Sequence, residues 1–110
     1  MGKESIEFIR HIFQETEFLL KHAEKLTLEE LENDDILKRA IVRSLEIIGE
    51  AAKKIDSETA AKYDEIEWSS MAKMRDKLIH HYFGVDYEIV FDVIRTKIPI
   101  LHDQIAPLFE

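Results

Sequence analysis

Apolar residues return along this chain at helical intervals from one end to the other. Between Glu4 and about Lys25, Ile6, Ile9, Phe13 and Leu20 fall near one stripe, with Ile12 and Leu19 on its flank. This is the period of an amphipathic helix. Leu26-Thr-Leu-Glu-Glu-Leu31 then reads as a helix start. Thr27 can cap, Glu30 can reach back to it, and Leu26 can staple onto Leu31. That helix should be short, because Asn33-Asp34-Asp35 offers the next cap. From Ile36 to Ile55, the residues Ile41, Leu45, Ile48, Ala52 and Ile55 repeat at 4-3-4-3 spacing, a seam for packing against another helix. Gly49 lies in the middle of it, where glycine costs about 1 kcal/mol relative to alanine. Close approach of a neighbouring backbone is the simplest compensation.

Asp56 to Glu67 is polar, with a helical turn around Ser57-Glu-Thr-Ala-Ala61. Trp68 opens a further helix that runs towards Gly84, a residue suited to the left-handed conformation that ends many helices. Asp86 can cap the last segment, and Val85 can meet Val90. That segment, Tyr87 to about Leu108, places Val90, Val93 or Ile94, Ile98, Leu101 and Ile105 on one side. Pro99 inside it should bend or divide the helix. No alternating run of β-branched residues suggests a strand. The pattern predicts an all-α, antiparallel bundle of four main helices plus one or two short ones, forming a single domain over 1–110.

Composition adjusts this picture in a few places. With 45% hydrophobic and 35% charged residues and no cysteine, the chain reads as a helix-rich globule without disulfides, thiolate chemistry or a cysteine-based zinc site. No apolar run approaches the roughly 20 residues that span a bilayer. The charged start lacks a signal peptide's apolar core, so a cytoplasmic location is expected. A formal charge of −8 argues against broad electrostatic capture of nucleic acid. It argues less against one small phosphate-binding cleft, where the local field matters more than the net charge.

The candidate chemistry is concentrated in Met71-Ala-Lys-Met-Arg-Asp-Lys-Leu-Ile-His-His-Tyr-Phe-Gly84. Arg75 and Tyr82 are seven residues apart and stack along one helical face. His80 lies five residues from Arg75, about 140° round the axis, so one helix presents the two poorly to a single phosphodiester. A second copy of the same helix would complete the site. Each residue also has an ordinary reading. Arg75 alone would be a surface residue paired with Asp76 of another chain or with Glu50. Tyr82 would be core packing, and His80 would favour the helix C-terminus as a cation. Arg43, Ile47 and Glu50 follow one face of their helix, where a charged pair either orients Arg75 or is structural. His11, His22 and His102 read as solvated. His80 and His81 diverge by about 100°, unlike the i,i+4 pair of a helical zinc site, so neither a metal nor another cofactor is indicated.

The pattern Arg75-x4-His80-x-Tyr82 resembles the signature of the HEPN superfamily, and of its HepT-like toxin branch in particular. Ser44-Leu-Glu-Ile-Ile-Gly-Glu-Ala-Ala52 is similar to that family's "IGEA" helix. Ile66-Glu-Trp68, followed by Met74-Arg75, is similar to its tryptophan-then-arginine segment. Glu67 stands where the family often has Pro, and Asp76 where Asn is frequent. The matching blocks cover roughly residues 36 to 106.

The resemblance implies an HEPN-like bundle and a metal-independent endoribonuclease. Its site would form between the subunits of a homodimer, with Arg75 and His80 catalytic and Asp76, Glu50 and Arg43 in support. It further implies a toxin–antitoxin module whose antitoxin is a minimal nucleotidyltransferase, MNT, able to transfer AMP to the motif tyrosine, here Tyr82. The chemistry is consistent with the residues. RNA carries its own nucleophile in the 2′-hydroxyl, so cleavage needs a base near neutral pKa and a cation on the developing phosphorane charge. An alternative reading, favoured by the acidic charge, is a non-catalytic helical subunit that presents substrate to a nucleotidyltransferase.

Overall fold

The computed structural model describes residues 3–79 and 84–109, and among them every regular element is helical. Helix α1 spans Lys3–Ala23, α2 Leu28–Asn33, α3 Asp35–Lys53, α4 Ser57–Lys62 and α5 Trp68–Ile79. Helix α6 spans Tyr87–Asp92 and continues through a π-helical turn, Val93–Lys97, into α7, Ile98–Ile105, before a 3-10 turn at Ala106–Leu108. The four main rods are therefore α1, α3, α5 and the α6–α7 segment, with α2 and α4 as short connectors. Side-chain pairings show that α1 runs antiparallel to two of them. Ser5 meets Asp56 just beyond α3, while Ser44 in α3 lies against the Glu15 carbonyl. Phe13 stacks on His102 of α7, and Arg10 lies over the Phe109 ring.

Local chemistry sets the element boundaries. The capping box at α2 forms in both directions, with Thr27 Oγ1 accepting from the Glu30 N–H and Glu30 accepting from the Thr27 N–H, each at 3.1 Å. Asp34 caps α3 through the Leu37 N–H, and Asp86 caps α6 through those of Glu88 and Ile89. These caps satisfy amides that a first helical turn leaves without carbonyl partners. Pro99 divides the last rod without breaking it. Proline offers no N–H to the carbonyl four residues back, and just upstream the register widens so that the Ile98 N–H reaches the Val93 carbonyl. Val90, Ile94, Ile98, Leu101 and Ile105 all stay buried across this change.

Three expectations need correction. The buried stripe of α1 is Ser5, Ile9, Ile12, Thr16, Leu19 and Ala23, which moves Ile6, Phe13 and Leu20 to its half-buried edge. Two small polar residues occupy the inner face because each has a partner. Thr16 donates to the Phe13 carbonyl at 2.7 Å and Ser5 to Asp56 at 2.6 Å. Ile55 lies beyond the end of α3 and is only half-buried, whereas Ile41, Leu45, Ile48 and Ala52 form the core seam as expected. His102 is not a solvated residue. It is half-buried, stacks on Phe13 with ring centroids 5.0 Å apart, and lies 3.4 Å from Asp103 and 3.8 Å from Glu17.

Candidate active site

The Arg75 position begins with what α3 lacks. A side-chain carbon built on Gly49 would lie 2.0 Å from Arg75 Cβ and 2.7 Å from the Met71 carbonyl oxygen. The two helices thus approach closely enough that only hydrogen fits, and the glycine in the middle of α3 is accounted for by the arginine across from it. The start of α5 is fixed independently. Ile66 and Trp68 are buried, and the Trp68 indole N–H donates to the Tyr63 carbonyl at 3.2 Å.

Set over Gly49, the Arg75 side chain is mostly covered, with 24% of its surface exposed. Its Nε is buried without a hydrogen-bond partner among the described residues. Its Nη1 donates to Asp76 Oδ1 at 3.1 Å. That same carboxylate oxygen also accepts from the Lys53 ammonium of α3. The three charges form a net positive cluster on the α3–α5 seam. Lys53 and then Arg75, both hydrogen-bonded to Asp76, hold its carboxyl below the usual carboxylate range.

Among the described residues, the ion pair of Arg75 is with Asp76 of its own chain rather than with Glu50. Arg43 is more exposed and pairs with Glu46 at 3.6 Å rather than with Glu50. Glu50 is half-buried on α3, next to the Gly49 crossing. His80 and Tyr82 lie outside the described residues. Gly84, just after them, has a φ of 113°, a backbone conformation open to glycine and strained for other residues. Lys53 is the neighbour that sequence reasoning missed. The available signal was its place one turn after Gly49, on the side of α3 that turns towards α5.

A separate groove of about 340 Å³ opens between α5 and the C-terminal helices over Met71, Met74, Val93 and Leu101. Neither Arg75 nor Asp76 lines it. Among the described residues, no three His, Asp or Glu side chains are grouped so as to hold a metal ion. No helix there is long and apolar enough to cross a membrane.

Comparison with known proteins supplies the wider context. The family model described as "Ribonuclease HepT-like" matches residues 3–108. A protein of Caldanaerobacter subterraneus subsp. tengcongensis named "Putative RNase TTE0752" is 44% identical over 103 residues, covering 94% of this chain and 92% of its own. The "Probable ribonuclease HepT" of Thermococcus cleftensis is 34% identical over 108 residues, covering 98% of each chain. No solved structure matches. With a family model spanning nearly its whole length and an Arg75 seat built by the glycine and arginine segments together, the chain belongs to the HepT-like family of the HEPN superfamily.

Proposed function

We propose that this protein is the toxin of a toxin–antitoxin pair, acting as a metal-independent endoribonuclease with Arg75 and His80 as its catalytic residues. The observation that carries the reading is the Arg75 seat in a chain of this family: a mostly covered arginine side chain, its Cβ set against Gly49 and its Nη1 held by Asp76. Arginine's planar fork suits phosphate oxygens. Fixed donors aimed at developing charge accelerate phosphoryl chemistry.

In the reaction, His80 accepts the proton of a 2′-hydroxyl as its oxygen bonds to phosphorus. The bond from phosphorus to the 5′-oxygen breaks, and that oxygen takes up a proton. The products are a 2′,3′-cyclic phosphate and a 5′-hydroxyl. Arg75 stabilises the charge on the phosphorane between the two. On an ideal helix, five residues of spacing would turn Arg75 and His80 about 140° apart, so the working unit of this reading is a homodimer whose motif helices face one cleft.

Control follows from Tyr82, two residues after His80. Transfer of AMP to its hydroxyl by the nucleotidyltransferase antitoxin would place bulk and negative charge where the substrate phosphate binds.

The decisive experiment is RNA cleavage by wild-type and His80→Ala protein with and without EDTA. His80→Ala should lose about 100-fold or more, wild-type cleavage should survive EDTA, and the product should carry a cyclic phosphate. Full activity in the variant, or strict dependence on a divalent ion, overturns the mechanism and leaves the non-catalytic reading. Intact mass after co-expression with the antitoxin should show added AMP that disappears in Tyr82→Phe. Its persistence there would move the modification to another residue.

A further inference from the structure

Arg75 and Asp76 are consecutive on α5, and consecutive helical side chains diverge by about 100° rather than face one another. Their 3.1 Å contact is therefore not one that the helix provides by itself. Asp76 has to lean towards Arg75, and the group that meets it there comes from α3. Lys53 Nζ donates to Asp76 Oδ1, the same oxygen that accepts from Arg75 Nη1. We infer that Lys53 is a positioning residue for the arginine: its ammonium clamps the Asp76 carboxylate, which in turn fixes the Arg75 guanidinium at Nη1.

Charge and exposure fit this role better than a stabilising one. Lys53 and Asp76 are each about two-fifths exposed, at 41% and 42%, and pairs of that kind add little to folding stability. An Asp76 carboxylate bonded to Arg75 alone would neutralise the cation meant for phosphate. Sharing it with Lys53 keeps the cluster positive by one charge. An aspartate is ionised across the neutral range in any case, and the lowering of the Asp76 pKa by Lys53 and Arg75 extends the clamp further into acid. Lys53 acts through Asp76 and is not itself placed on the substrate.

The inference rests on the ribonuclease reading for its catalytic consequence, and the test separates the two. Full-length wild-type, Lys53→Ala, Lys53→Arg, Asp76→Asn, the Lys53→Ala/Asp76→Asn double variant and an Arg75→Ala control are compared in single-turnover cleavage of a labelled single-stranded RNA. Lys53→Ala should lower the cleavage rate about 10- to 100-fold, the loss that follows a misplaced reacting group, with the melting temperature nearly unchanged. Lys53→Arg should recover most of the rate. In the Asp76→Asn background, Lys53→Ala should have little further effect, because residues acting through one contact are not additive. A full additional loss there would instead mean that Lys53 contacts RNA directly, overturning the inference.

Nitrogen-15 relaxation of the Arg75 guanidinium provides a readout independent of activity. Its Nε–H should be ordered in the wild type and more mobile in Lys53→Ala. Unchanged order in the variant also overturns the inference. If the wild type cleaves no RNA, the ribonuclease reading fails, while the guanidinium measurement still decides whether Lys53 orders Arg75.

Discussion

Gly49 shows how one missing side chain can set a site. In an exposed helix interior, replacing glycine by alanine gains about 1 kcal/mol of helix propensity. Here the new methyl would fall 2.0 Å from Arg75 Cβ and 2.7 Å from a backbone carbonyl. Neither is the far end of a flexible chain that can swing aside. Overpacking of this kind costs about 1–3 kcal/mol, so Gly49→Ala should destabilise the fold despite its better propensity, lowering the denaturation midpoint. It should also reduce RNA cleavage by displacing Arg75. A midpoint equal to or above the wild type would mean that α5 can back away from α3 at no cost.

Between elements, the junction of α1 with the α3–α4 turn has its own fastening. Asp56 caps α4 through the Thr59 N–H at 2.7 Å, and its other oxygen accepts from Ser5 Oγ at 2.6 Å. The Asp56 N–H returns a bond to Ser5 Oγ at 3.2 Å. The Ser5 hydroxyl, followed by the Thr59 amide, holds the Asp56 carboxyl down at about 2, against an ordinary value of 3.8. Because the folded-state value lies below the unfolded one, this linkage stabilises the protein fully above about pH 4 and is lost as pH falls towards 2. Ser5→Ala removes the largest cause and should bring the Asp56 pKa back towards its ordinary value. The stability gap between wild type and Ser5→Ala should then hold constant above pH 4 and narrow below it, as read by denaturant unfolding across the acid range and by carboxyl NMR. A gap that does not change with pH would assign the loss to packing around Ser5 instead.

For the whole molecule, a net charge of −8 conceals where the positive charge lies. Residues 35–54 and 68–79, spanning α3 with its C-cap and α5, carry eight of the fifteen Lys and Arg but only four of the twenty-three Asp and Glu. The helices that meet at Gly49 are thus basic in an acidic protein, a local field suited to one polyanion cleft. A two-fold axis beside the motif helices would double that field and surround the cleft with two Arg75–His80 sets. If each site draws Arg75 from one subunit and His80 from the other, mixing inactive Arg75→Ala and His80→Ala chains should restore part of the wild-type cleavage. Monomeric protein that cleaves at the full rate, judged by light scattering under assay conditions, would rule the shared site out.

The helical pattern was determined by local sequence. Thr27, Asp34 and Asp86 cap where their side chains can reach free amides, and the α3 seam follows from the spacing of Ile41, Leu45, Ile48 and Ala52, because capping and periodicity act within a few residues. The Arg75 segment and the propensity cost of Gly49 inside a helix were legible for the same reason. What covers Gly49 was not, since that depends on which helix crosses α3 and at what height. Nor was the Lys53–Asp76–Arg75 cluster, which joins side chains 23 residues apart, or the Ser5–Asp56 fastening across 51. The α1 stripe was misplaced because hydrophobicity alone ranks Phe13 above Ser5 and Thr16. Tertiary structure reversed that order: Ser5 finds Asp56 across the fold and Thr16 turns its hydroxyl onto the Phe13 carbonyl of its own helix, while the bulky ring is accommodated at the edge against His102.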